Sequence, residues 1–143
     1  MNINNVVSPE NLITKIFSLI GQPIRIQILV ILEKKEACVC HIEAVTGIRQ
    51  AVISQHLIVL REAGLVNFRR DGRNIFYSLQ KPEIMDLIWK AVELSDQNPD
   101  SLKQLTSRPV QGCTCPQCNP DMDPALTCGH TKRSSLRVNK GES

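Results

Sequence analysis

Three cysteines fall within six residues, Cys113-Thr114-Cys115-Pro116-Gln117-Cys118, and two more flank a valine ahead of a histidine, Cys38-Val39-Cys40-His41. Cys128, two residues before His130, completes the six cysteines of this 143-residue chain. Thiolate and imidazole are ligands of soft and borderline ions, which take three or four sulfurs or a mixture of sulfur and nitrogen. Paired thiols also support reversible oxidation to a disulfide or polysulfide bridge.

The compartment narrows these choices. The first residues, MNINNVVSPENL, carry no basic stretch and no long apolar run, so a signal peptide is not expected. The densest apolar run, residues 28–32, is too short to span a bilayer, and no membrane association is expected. In a cytoplasmic protein thiols stay reduced, so these cysteines read as metal-binding or redox-sensing before structural disulfides.

Geometry constrains them further. On a regular helix, residues i and i+2 are about 200° apart and cannot share one small ion. Cys38 and Cys40 therefore converge only if Cys38 lies before or at the first turn, which the break at KKEA allows. Two thiolates are an incomplete shell, and His41 and the tail cysteines are the available supplements. Folding Cys113, Cys115 and Cys118 back onto Cys38 and Cys40 explains why one chain carries both clusters. A separate structural zinc knuckle from Cys115, Cys118, Cys128 and His130 is the alternative. The CPxC pattern at 115–118 also matches thiol-disulfide oxidoreductases. That chemistry needs a helix N-terminus in a βαβ context, and a Pro- and Asn-rich tail supplies neither. Ser54 and His56, at i and i+2 with no acidic partner, do not form a nucleophile–base pair. An enzyme is not expected.

The elements that must position these groups read as mainly α with a small β-hairpin. Ser8-Pro9-Glu10 is a helix start, and its helix carries Leu12, Ile13, Ile16, Phe17 and Ile20 on one stripe up to Gly21. Pro23 opens a second, mostly apolar helix. A short third helix begins at the Cys-Val-Cys stretch and stops at Gly47, and a fourth spans residues 49–64. LVNFRR and NIFYSL, joined around Asp71-Gly72, form a hairpin. A last helix, 82–95, shows two apolar stripes, Ile84/Leu87/Ile88/Ala91 and Met85/Trp89/Val92; the second either faces another subunit or widens the core face. Residues 1–95 thus form one domain of order ααααββα. Residues 96–143, rich in Ser, Pro, Gln, Asn and Gly, form a largely irregular, flexible, Cys-containing tail.

Net charge, +3, is too small to argue for nucleic acid. Its distribution is more informative: residues 41–79 hold five arginines against three acids and no lysine. Helix, glycine turn, helix and an arginine-bearing hairpin is the order of a winged helix-turn-helix. Here the chain resembles the ArsR/SmtB family of metal-sensing bacterial repressors over residues 10–95. The resemblance rests on ISQHLIVLREAGLVNFRRDGRNIFYSL at 53–79 and, in part, on ACVCH at 37–41. It implies that Arg49, Gln50, Ala51, Ser54, Gln55 and His56 lie on or beside a major-groove helix, with Arg69, Arg70, Arg73 and Asn74 on the wing. Gln can read adenine bidentately, and a basic hairpin tip suits the DNA backbone. It further implies a homodimer on double-stranded operator DNA, released when Cd, Pb, Zn or As(III) binds cysteine thiolates; with the tail folded back, the expected ligands are Cys38, Cys40, Cys113, Cys115 and Cys118. His41, Cys128 and His130 are additional candidate ligands. The same fold as a thiol redox or reactive-sulfur sensor is the alternative. Three positions depart from the family pattern: Arg49 replaces a Ser or Thr helix cap, His41 replaces an acid, and the last helix has no histidine for an inter-subunit zinc site.

Overall fold

A computed structural model of the chain describes residues 7–108, 110 and 112–121. Helix α1, Pro9–Ile20, starts where Ser8 accepts a hydrogen bond from the Asn11 amide, satisfying one of the orphan donors of the first turn. Helix α2, Pro23–Leu32, buries Ile28, Leu29, Val30, Ile31 and Leu32 in succession. Such all-round burial marks the central helix of the domain, with the others packed about it. Helix α3, Val39–Thr46, ends at Gly47, whose left-handed φ of 73° forms the cap. Helix α4, Gln50–Glu62, turns Ile53, Leu57 and Leu60 into the core at the spacing of one helical face.

Strands β1, Val66–Asp71, and β2, Asn74–Leu79, pair antiparallel from Val66↔Leu79 to Asp71↔Asn74. Gly72 occupies the tip at φ 62°, a conformation that side chains with a Cβ rarely adopt. The α2–α3 connection adds a partial third strand: Ala37 and Tyr77 exchange both backbone hydrogen bonds, at 3.0 and 2.8 Å. Helix α5, Ile84–Leu94, follows the wing. The chain is a winged helix-turn-helix of order ααααββα, as its pattern predicts.

Of the apolar stripes, that of α1 lies outside the core, and the second stripe of α5 takes the core-face alternative. The stripe of α1 does not enter the core: Leu12, Ile13 and Phe17 are each more than half exposed, and only Ile20 is buried. The second stripe of α5 faces inward. Met85 is buried, and Trp89 packs on the core and donates its indole N–H to Glu33 at 2.9 Å. Beyond α5 the tail carries short structure that composition hides. Helix α6, Asp100–Lys103, and a 3-10 turn, Gln104–Thr106, pack on α2, with Leu105 against the core.

Candidate metal centre and nucleic-acid interface

Cys38 is the residue immediately before α3, in extended conformation at φ −86° and ψ 167°. Its side chain thus escapes the helical spacing that would separate it from a site ligand. Val110 and residues 112–119 return to this point in a tight turn. The Cys113 amide donates to the Val110 carbonyl at 3.1 Å, and the Asn119 side-chain amide donates to the carbonyls of Cys113 and Cys115 at 2.6 and 3.2 Å. These bonds aim the sulfurs inward. One donor atom each from His41, Cys113, Cys115 and Cys118 lies within 4.8 Å of all the others. The imidazole Nδ1 of His41 is 3.2 Å from Cys118 Sγ. Cys38 and the ring of Phe76 are buried against Cys113 and Cys115, closing the cluster.

This donor set fits a soft or borderline ion. Four ligands about 2.0–2.3 Å from a tetrahedral centre lie roughly 3.3–3.8 Å apart. Three thiols and an imidazole inside a 4.8 Å limit need only small adjustments to reach that arrangement. His41 is buried, and its Nε2 has no hydrogen-bond partner among the described residues. An unsatisfied buried polar atom costs about 1–3 kcal/mol and marks a group whose environment is incomplete.

The sulfurs perturb one another strongly. Hydrogen bonds from Cys113 and then Cys38 hold the Cys115 thiol far below its ordinary range. Bonds to Cys115 and Cys38, together with burial, push Cys113 far up. For Cys38 the bond with Cys113 lowers the pKa, but the bond with Cys115 and burial outweigh it, raising it to about 11. Cys115 is thus the sulfur of the three most readily deprotonated, and binding of a cation by thiolates would release thiol protons.

Cys40 packs against the cluster but is not among its four converging donors. It is disulfide-bonded, and the side-chain amide of Gln50, at the start of α4, lies 3.9 Å from its sulfur. Among the described cysteines, Cys38, Cys113, Cys115 and Cys118 are free thiols. Cys128 and His130, and with them the separate zinc knuckle, lie outside the described residues.

The thiol cluster abuts the wing. Phe76, one wall of the cluster, is the register partner of Arg69, whose guanidinium carbon sits 4.9 Å from the ring centroid. Arg69 forms a two-pronged ion pair with Glu36, with Nε to Oε2 at 2.8 Å. The hydrogen bond from that guanidinium outweighs the opposing effect of burial and holds the Glu36 carboxyl below the usual range. Gln117, from between two site cysteines, donates to Glu36 Oε1 at 2.8 Å. Arg108 donates to the Glu36 carbonyl at 2.8 Å and to Gln117 Oε1 at 3.1 Å.

The surface of α4 opposite the core exposes Ala51, Gln55 and Ile58, with Arg49 exposed just before the helix. Arg49 makes no side-chain cap bond. Ser54 and Asn74 are half-buried, while Arg70 and Arg73 are exposed on the wing. Gln50 is half-buried and donates to Glu43 at 3.0 Å, so it also ties α4 to α3. His56 is half-buried too, and its Nδ1 accepts from Arg25 Nε at 3.1 Å. It faces the scaffold more than the open surface. Burial and the Arg25 charge lower its pKa from 6.5.

Residues 22–67, from the start of α2 into β1, match the family model described as bacterial regulatory protein, arsR family. The chain is 34% identical over 94 residues to the arsenic resistance transcriptional regulator ArsR1 of Pseudomonas putida, covering 61% of this chain and 73% of that one. This chain belongs to the arsR family of bacterial regulatory proteins. It is also 37% identical over 71 residues to a transcriptional repressor SmtB homolog of Synechocystis sp., where the match spans 50% of this chain and only 54% of that protein. Among solved structures it resembles the homodimeric winged helix-turn-helix DNA-binding domain Mb0332 of Mycobacterium bovis. The TM-score is 0.53 at 26% identity, covering 59% of this chain and 78% of that one.

Within this arsR-family frame, sequence reasoning missed three residues that shape the site. Phe76 reads from its pattern as a hairpin core residue, yet it walls the thiols. Glu36 and Gln117 carry no motif. Their signal is position alone, two residues before Cys38 and inside the Cys115–Cys118 pair.

Proposed function

We propose that this arsR-family chain is a dimeric transcriptional repressor that holds operator DNA when ion-free and releases it when a soft ion occupies its thiol site. The observation that carries the reading is the convergence of His41, Cys113, Cys115 and Cys118, with Cys38 beside them, against the wing of a DNA-binding fold. Cd(II), Pb(II) and Zn(II) suit the four-donor set, and As(III) suits three of the sulfurs. Ala51, Gln55 and Arg49 meet the major groove, and Arg69, Arg70 and Arg73 meet the backbone. A repressor works where the chromosome is, which makes the cytoplasm its compartment.

The dimer reading draws support from an open apolar groove of about 460 Å³ between α1 and α5, lined by Phe17, Leu87, Ala91 and Leu94. It continues into the exposed stripe of α1, and a solvent-facing apolar surface of this extent is the mark of an interface. A second copy would cover it, and the related Mb0332 domain is homodimeric. No single helix among the described residues is long and apolar enough to cross a membrane.

A second reading, a thiol redox switch, is favoured by one observation: Cys40, beside Gln50 on the recognition helix, is disulfide-bonded. Titrating operator complexes with each ion under reducing conditions, and separately with an oxidant in ion-free buffer, tests both readings. Release accompanied by ultraviolet thiolate-to-metal absorption, and lost in Cys115→Ser with ion-free DNA binding intact, supports the metal reading. Release by oxidant alone, with no response to any ion, supports the redox reading.

A further inference from the structure

We infer that Glu36 is the positioning residue that couples the thiol site to DNA, gripping wing residue Arg69 when the tail turn is docked. The inference rests on the ion-release reading above and adds the path by which release occurs. Arg69 is a wing arginine whose side chain remains 52% exposed, yet its guanidinium is held by Glu36 and lies over Phe76. It can serve a DNA phosphate only by leaving that carboxylate.

Two tail groups decide how firmly Glu36 holds on. Gln117 donates to Oε1, and Arg108 donates both to the Glu36 carbonyl and to Gln117. An exposed ion pair contributes little mainly because both side chains lose rotamer freedom in forming it. Docking the tail turn fixes the Glu36 carboxylate in the gripping geometry beforehand. The pair then forms at lower entropic cost.

Ion ligation by Cys113, Cys115, Cys118 and His41 clamps that same turn, since Gln117 lies within it. The ion-loaded protein therefore withholds Arg69 from phosphate, and the undocked protein frees it. By linkage, DNA that captures Arg69 must weaken ion binding by the same factor. Cys38 is joined to the same element: its neighbour Ala37 is hydrogen-bonded to Tyr77 of β2.

The test uses the full chain, Cd(II) and a random-sequence DNA duplex, because a phosphate contact needs no particular sequence. DNA affinity is measured without and with saturating Cd(II), and their ratio is the coupling. Glu36→Gln leaves an amide that still accepts from Gln117 but removes the charge that holds Arg69. The coupling ratio should fall roughly threefold to fivefold, the scale of an exposed ion pair, and Cd(II) affinity without DNA by no more than that linked factor. Arg69→Ala should reduce the ratio similarly, and the double variant should reduce it no further. Arg70→Ala, a wing change outside the relay, should weaken both states alike and keep the ratio. Glu36→Gln with an unchanged ratio, or additive effects in the double variant, overturns the relay alone. Absence of thiolate-to-cadmium absorption in the unchanged protein overturns the ion reading and the relay with it.

Discussion

Cys115 is one of four converging donors, and hydrogen bonds from Cys113 and Cys38 pull its pKa down. Cys38 is buried among the tail thiols, while Cys40 packs at the edge of the same cluster and also lies near Gln50 of α4. His41 is the residue whose type departs from the family pattern, and it is also the nitrogen donor of the cluster. At the same scale, His56 gives a prediction independent of any ion. Its folded-state pKa lies below 6.5 because burial and Arg25 disfavour the imidazolium. Between that lowered value and 6.5 the unfolded chain binds more protons than the folded one, so stability falls as pH drops through this window. Above 6.5 the contribution is fully present. Urea unfolding from pH 7.5 downward to about pH 5 should show this slope, and His56→Gln should flatten it. An identical slope in the variant would place the titration on another group.

At the scale of elements, the wing is both a DNA arm and a wall of the thiol site. Arg73 is exposed beside Gly72 at its tip. Arg73→Ala should weaken specific and random DNA alike and lower the salt slope by about one unit, as loss of one phosphate contact requires. A slope equal to that of the unchanged protein would remove Arg73 from the phosphate contacts. The elements were largely legible in the sequence because each rests on local chemistry. Ser8-Pro9 caps α1, Gly47 ends α3, and Asp71-Gly72 turns the hairpin. What periodicity cannot say is which apolar face meets which neighbour. The stripe of α1 has the same 3.6-residue signature as a core face, yet it lies on the surface. The ordering of Val110 and residues 112–119 was equally hidden, because that turn is held by Asn119, Arg108 and Gln117, polar side chains bonding to carbonyls and to one another. Such bonds have no period. The clustering of thiols was visible as composition, but its partners Phe76 and Glu36 depend on a hairpin register that long-range pairing sets.

For the whole molecule, the exposed stripe of α1 and the groove against α5 predict the assembly. Phe17→Glu places a charge in that groove and should yield monomers by sedimentation, with operator binding lost because two half-sites are no longer bridged. Trp89→Glu instead breaks an inward contact with Glu33 and should lower thermal stability before it alters assembly. A Phe17→Glu dimer that still binds operator would move the interface elsewhere. The account joins these parts into one claim: an ion closes the tail turn onto α3 and the wing, and the wing lets go of DNA. The most direct measurement compares the full chain with one ended after residue 107, recording bound ion per chain and operator release side by side. The shortened protein keeps Cys38, Cys40 and His41 but loses Cys113, Cys115 and Cys118, an incomplete shell for a soft ion. The account predicts that ion affinity and release both fall sharply while ion-free operator binding persists. Unchanged inducer affinity and release in the shortened protein would contradict it.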